Sequence, residues 1–310
     1  MHWILLATFG QFLNAIVSIF DKYIVTDEKA LPRPFVYAFY SCLMTGFWAV
    51  IYVLGFIPGL ANLGVPTLTN VTFPTIQVLA MSFLAAYTFF MALVSMYDSL
   101  KQSDASTVMP VIGTVAALST FALDYIFLDT TLTPEHMIGV VILSLGTLLV
   151  AKSLPKINVV LHVFHSGLFF GLHYITMKGL FLETNFDNGF FWSRLGFVLF
   201  ALSLLLVPVY LDKIKEQTKT TSKKTGIIVI LAKTTAGIAA FLLLKATDMG
   251  SVSVVQALDG LRFIFILLIS SLFAHWLPAS AADSDKRPRV FFKRLLYITV
   301  ILAGFATLFA

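Results

Sequence analysis

Charge is scarce in this chain. Only 12 % of its 310 residues are Asp, Glu, Lys or Arg, about half the share of an ordinary soluble domain, which excludes a water-facing globular surface over most of its length. Cysteine is all but missing: Cys42 stands alone inside an apolar run, so neither an intrachain disulfide nor a cysteine-based metal cluster can form. Chemistry-bearing motifs are missing as well. The sequence has no glycine-rich phosphate loop, no His-Glu-x-x-His zinc pair and no Gly-x-Ser-x-Gly elbow, so no enzymatic activity, cofactor or metal is indicated. A net charge of +5 does not point to nucleic acid, because the lysines and arginines gather in short breaks between apolar runs. No lysine or arginine precedes the first apolar stretch, and no small-residue cleavage site follows it, so the first helix is expected to be retained.

What the chain has in abundance is apolar length. Hydrophobic residues make up 58 % of it and the mean hydropathy is +0.90. The runs are continuous rather than alternating, and a helix needs about 20 such residues to cross the hydrocarbon core. The pattern predicts an all-α, polytopic membrane bundle of ten transmembrane helices. Their expected spans are Trp3 to Val25, Phe35 to Phe56, Thr75 to Tyr97, Ala105 to Leu128, Thr133 to Leu154, Ile157 to Leu182, Gly189 to Leu211, Gly226 to Ala246, Ser251 to Trp276 and Val290 to Ala310. Trp3, Trp192 and Trp276 near span ends suit an interfacial aromatic belt.

The breaks alternate in charge. Those after odd-numbered spans, with their flanks, hold Lys22, Lys29, Arg33, Lys101, Lys152, Lys156, a cluster of Lys213, Lys215, Lys219, Lys223 and Lys224, and finally Lys286, Arg287, Arg289, Lys293 and Arg294. That is 16 of the 21 basic residues. The positive-inside rule makes this side cytoplasmic, in a plasma (inner) membrane, with both termini outward. The lipid bilayer is thus the main partner.

Ten spans divide into five and five, and weak self-similarity joins the halves. Ser106 to Gly113 aligns without gaps on Ser253 to Gly260, and Phe20-Asp21-Lys22-Tyr23 falls on Thr176-Met177-Lys178-Gly179. An odd-numbered unit, once duplicated, enters the membrane in the opposite sense, so matching loops should differ in charge. The break from Ile57 to Pro74 has no charge, while its counterpart after span seven holds five lysines. We expect two inverted five-helix repeats, residues 1–155 and 156–310.

Ionisable groups at membrane depth are costly and usually face a cavity or a partner. Gln256, Asp259 and Arg262 lie on span nine, the acid and the guanidinium sharing one face by i, i+3 spacing, and span eight adds Lys233. A cavity among them would suit an anionic or zwitterionic solute, with Asp259 as proton carrier. Equally, Asp259 and Arg262 could neutralise one another and brace span nine against span eight. Gln11 and Asn14 on span one, Tyr87 on span three and Arg194 on span seven add polar groups that could point inward, and His165 on span six is a further candidate. The expected substrate site is therefore Asn14, Tyr87, His165, Lys233, Gln256, Asp259 and Arg262. His162, His165 and His173 titrate near neutral pH, but packing against backbone or a ring is their plainer use. Arg194 is close enough to a span end to snorkel. Thirty phenylalanines read as lipid-facing filler before they read as an aromatic cavity.

Three segments carry a resemblance: Phe20-Asp21-Lys22-Tyr23; Ala232-Lys233 with Gly237; and Gly250 to Arg262, with Ser253, Ala257, Leu258 and Gly260. In these the chain resembles the drug/metabolite transporter superfamily, EamA type, over nearly its whole length. The resemblance implies ten helices in two inverted repeats around a central cavity, and transport of small organic solutes. One departure is plain. Where such proteins commonly carry a glutamate after span four, this chain reads Asp129-Thr130-Thr131-Leu132-Thr133, with Thr130 at the glutamate position. The expected function is secondary transport of a small metabolite, an amino acid or related solute, with protons as the candidate coupling ion. The alternative is a non-transporting membrane protein, such as a lipid scramblase, or a flippase for a lipid-linked substrate.

Overall fold

The computed structural model describes residues 2–26, 33–57, 59–60, 64–103, 105–151, 155–272 and 288–308. Lys29, Lys152, Trp276, Lys286 and Arg287 lie outside the described residues, as do the expected span ends at Leu154, Trp276 and Ala310. So do the side chains of Ser106, Arg289, Lys293 and Arg294.

The described chain is all helix and connections. In order come α1 (His2–Thr26), α2 (Pro34–Phe47) continuing as a 3-10 segment (Trp48–Phe56), a short 3-10 turn (Leu68–Asn70), α3 (Ile76–Gln102), α4 (Ala105–Phe127) and α5 (Pro134–Val150). Then follow α6 (Ile157–Glu183), α7 (Phe186–Leu204), α8 (Pro208–Thr220), α9 (Lys223–Met249), α10 (Val252–Ala257), α11 (Asp259–Leu272) and α12 (Pro288–Thr307). Local sequence sets many of the starts. Thr75, Thr133, Asn185, Ser222 and Ser251 each accept a hydrogen bond from the backbone N–H three residues on, satisfying a donor that the first helical turn leaves free. Pro34, Pro134 and Pro208 occupy first-turn positions, where a missing N–H costs nothing.

Among the described residues, six helices are long and apolar enough to cross a membrane: His2–Thr26, Pro34–Phe56, Ile76–Gln102, Thr107–Phe127, Ile157–Glu183 and Lys223–Met249. Large apolar side chains point outward, among them Leu5, Phe9, Phe83, Leu84, Ile230 and Leu231, the reverse of a water-soluble bundle and the arrangement lipid favours. Two expected boundaries need correction. Span seven does not run to Leu211: α7 stops at Leu204 and the chain bends by 97° into α8, because proline at 208 has no N–H to continue the ladder and disfavours helix at Val207. The lysine-bearing break is accordingly a helix rather than a loop. Span nine is broken at Leu258, between α10 and α11.

α8 docks on the start of α2. Arg33 pairs with Glu216 at 2.7 Å, the Tyr40 and Thr218 hydroxyls meet at 2.6 Å, and the Phe35 and Tyr210 rings lie 4.7 Å apart. The Arg33 guanidinium holds the exposed Glu216 carboxyl below its usual range, first through the hydrogen bond and then through charge. This attraction is present at neutral pH and is lost as pH falls through that lowered value.

In the bundle α3 packs on α6, α1 on α9, α4 on α6 and α5 on α12. The α4–α6 seam rests on Gly167 and Gly171, a small-xxx-small step. A Cβ on Gly167 would come within 2.6 Å of the Val115 side chain, and one on Gly171 within 2.9 Å of Ser119. Gly171→Val is expected to cost about 1–3 kcal/mol of stability by overpacking, read as a lower unfolding temperature in detergent.

Candidate functional site

Along α1, polar positions recur on the face turned toward the other helices: Gln11, Asn14, Ser18 and Asp21. Steps of three or four residues keep them on one side of the helix. From Gln11 to Asp21 this stripe runs about 15 Å, and a cavity of about 130 Å³ lies against it. Apolar walls come from Phe89, Leu93 and Met96 on α3, Met109 and Ile112 on α4, and Phe170 on α6. Two ion pairs stand in this cavity.

The first pair joins Asp21 to Lys233, Oδ1 to Nζ at 2.8 Å, both about 5 % exposed. The Tyr37 hydroxyl on α2 donates to the same carboxylate oxygen. The Tyr97 hydroxyl on α3 lies 3.5 Å from Oδ2, accepts from Lys233 Nζ at 2.9 Å, and is 3.2 Å from Ser41 Oγ. The ammonium also sits 4.1 Å from the centre of the Tyr37 ring, a cation–π contact. This cluster lies toward the end of the bundle that carries Arg33, α8 and Lys223, since Asp21 and Tyr97 are near the last turns of α1 and α3 and Tyr37 is in the first turn of α2.

The second pair is deeper. Arg262 Nη2 meets Asp259 Oδ2 at 2.6 Å. Asp259 opens α11, where free backbone N–H groups favour an anion, and the Gln11 side chain lies beside it. The Asn14 amide in turn donates to Gln11 Oε1 at 3.5 Å. Arg262 Nε is buried with no partner among the described residues. Gly113 on α4 makes room for the carboxylate: a Cβ there would stand 2.6 Å from Asp259 Oδ2. Gly113→Ala is therefore expected to push the carboxylate off Arg262 and cost about 1–3 kcal/mol, measured by thermal unfolding.

Five of the seven expected site residues line this cavity: Asn14, Lys233, Gln256, Asp259 and Arg262. Tyr87 and His165 do not. Tyr87 is 40 % exposed and lies edge-on to Phe169 and Phe200, because its position on α3 falls on the outward face. His165 accepts or donates to Ser95 Oγ at 2.8 Å and stacks on Phe169 at 4.3 Å. His173 is buried with Nδ1 2.9 Å from Ala85 O, and His162 lies 3.4 Å from Asp98. Arg194 does not snorkel. It is 2 % exposed, held between the Phe190 and Phe197 rings at 4.6 and 4.8 Å and bonded to Ser193 Oγ, because α7 turns that face toward α2 and α3. Asp129, two residues beyond α4, is in the left-handed region, φ 49°, exposed and not among the cavity's lining residues.

Sequence reasoning missed Asp21, Tyr37 and Tyr97 as site residues. Asp21 belongs to the Phe20-Asp21-Lys22-Tyr23 segment, and its step from Gln11 and Asn14 was the signal that could have found it. Asp124 was missed too; it is 2 % exposed on α4 and accepts from Ser253 Oγ on α10 at 2.5 Å.

No protein-family model matches this chain, and no curated protein matches it. A solved structure described only as a crystal structure of a protein is similar to it with a TM-score of 0.59, over 97 % of this chain and 95 % of that one, at 16 % identity. At that identity the likeness speaks for the fold alone, which together with the long apolar helices makes the chain a polytopic helical membrane bundle.

Proposed function

We propose that this protein is a secondary transporter that moves a small organic solute by alternating access, its ten spans forming two inverted five-helix repeats of residues 1–155 and 156–310. Here α7 counts as one span, α10 with α11 as one, and α5 and α12 as the fifth span of each half. A repeated contact supports the duplication. Lys22, at the end of α1, donates to the carbonyls of Leu100 and Ser103 where α3 ends. Lys178, its match near the end of α6, donates to the carbonyls of Thr247 and Gly250 where α9 ends, and to that of Asp248. Leu100 and Ser103 stand to Thr247 and Gly250 as Ser106 stands to Ser253, each 147 residues apart. The same lysine thus caps the same carbonyls in both halves, each cation at the negative end of a helix. Exchange of the halves also turns the α3–α6 packing into the α9–α1 packing.

The observation that carries the functional reading is the polar cavity at the seam. Residues of both halves meet at each ion pair: Asp21 pairs with Lys233, and the Asp259–Arg262 pair of the second half stands beside Gln11 and Gly113 of the first. The resemblance to EamA-type drug/metabolite transporters makes an amino acid or related metabolite the first candidate, with the lysine-rich end cytoplasmic. A cavity of about 130 Å³ does not favour a bulky lipid-linked substrate. Uptake by proteoliposomes under an imposed pH gradient, with a panel of amino acids and related metabolites, tests the reading. Uptake that protein-free liposomes lack supports it, and no uptake of any solute removes it.

A further inference from the structure

α7 packs along α2 and α3, two membrane-length helices, and α8 leaves it at 97°, so α8 runs across the bundle's end in the direction of the membrane plane. Its two sides meet different surroundings. Ile214 and Gln217 are buried toward the bundle, where Arg33, Phe35 and Tyr40 at the start of α2 hold the helix. Elsewhere α8 exposes Lys213, Lys215 and Lys219, followed at once by Lys223 and Lys224 at the start of α9. These five lysines fall within twelve residues, against two nearby acids, Asp212 and Glu216, and Glu216 is engaged with Arg33. Lys215 and Lys219 stand a turn apart on one side of α8, where like charges repel. Apolar exposure brackets this basic stretch. Leu206, Val207 and Val209 precede it and Ile227, Ile230 and Leu231 follow it, all with outward side chains. From Lys224 to Ile227 the rise along α9 is about 4.5 Å. The ammonium groups therefore stand where hydrocarbon gives way to headgroups, and their long stems reach outward from it.

We propose that α8 and the first turn of α9 form a binding surface for the anionic phospholipid headgroups of the adjoining leaflet, with Lys213, Lys215, Lys219, Lys223 and Lys224 supplying the charge. A headgroup phosphodiester offers anionic oxygens, which each ammonium meets as a point charge with three donors. Position favours lipid over a soluble anion: acyl chains packed beside Leu206, Val209, Ile227 and Ile230 hold the phosphate at the depth of the lysines. A headgroup between Lys215 and Lys219 relieves their repulsion and leaves the Arg33–Glu216 pair in place. Arg33, Phe35 and Tyr40 flank Tyr37 on α2, so bound lipid also steadies the helix end from which Tyr37 reaches Asp21. None of the five lysines lines the cavity, and the surface stands whether or not the chain transports a solute.

The test titrates the full chain, in a neutral detergent, with phosphatidylglycerol or with phosphatidylcholine at equal lipid content. The unfolding temperature is read together with the number of lipids each chain retains in mass spectrometry. Phosphatidylglycerol is expected to be retained over phosphatidylcholine and to raise the unfolding temperature further, since a ligand of the folded state stabilises it. High salt is expected to shrink that preference. Each lysine near an anionic surface is worth about fivefold in affinity, so Lys215→Gln, Lys219→Gln and Lys223→Gln combined are expected to weaken phosphatidylglycerol binding about a hundredfold. Lys101→Gln with Lys156→Gln, which removes two basic residues outside this surface, is expected to leave the preference in place. Equal responses to the two lipids overturn the proposal, and so does a preference that survives in the triple variant or is lost equally in the Lys101, Lys156 variant. Inorganic phosphate that raises the unfolding temperature as far as phosphatidylglycerol does also overturns it, by making the site one for a soluble anion. Should the triple variant fail to fold, the comparison of the two lipids on the wild type decides alone.

Discussion

Lys233→Met is expected to lower the unfolding free energy by about 3–5 kcal/mol, as large a loss as any single substitution in the cavity should cause. It removes the cation paired with Asp21 and leaves a carboxylate 5 % exposed, answered by two tyrosine hydroxyls. The side chains are similar in length, so lost packing contributes little. Pairing this change with Asp21→Asn is expected to recover most of the loss, since the amide still accepts from Tyr37 and no buried charge is stranded. Denaturant or thermal unfolding of the wild type, both single variants and the double variant in one detergent gives the coupling directly. If Lys233→Met is as stable as the wild type, the pair is open to water and the cluster holds nothing together.

The second large effect separates the two readings of the deeper pair. Arg262→Met leaves Asp259 buried beside Gln11 without its guanidinium and is expected to cost a similar amount, about 3–5 kcal/mol. The double variant Asp259→Leu, Arg262→Met removes both charges and is expected to fold nearly as well as the wild type. The diagnostic is what the double variant does with solute. If Arg262 holds the solute, uptake and binding in proteoliposomes fall at least a hundredfold, a loss of about 3 kcal/mol, while the unfolding temperature stays close to that of the wild type. If the pair is only a brace between helices, the refolded double variant keeps its uptake.

These two pairs also show how one cavity can hold opposite charges without a net field. The walls present two anions and two cations, each neutralised across 2.6–2.8 Å. A zwitterionic or neutral solute therefore meets no net repulsion, whereas a simple ion must displace a partner from one pair. That balance is why a change at either pair is expected to alter stability and function together, and why only charge-removing double variants tell them apart.

The helical class and the membrane-scale length of six described helices follow from the sequence alone, because apolarity is a local property that each segment carries wherever it packs. The capping Ser, Thr and Asn residues and the first-turn prolines belong with them. Asp259 and Arg262 were legible as a pair because they stand three positions apart on one helix. Asp21 and Lys233 were not, because they stand 212 positions apart in the chain, and whether two distant side chains meet depends on how each helix is rotated and how deep it sits. The same dependence put Tyr87 on the outside and buried Arg194 between two rings. The turn of α8 across the bundle's end came from one proline acting on a stretch that still looked apolar enough to continue. Periodicity told which residues share a face; only packing decided which face looks at which.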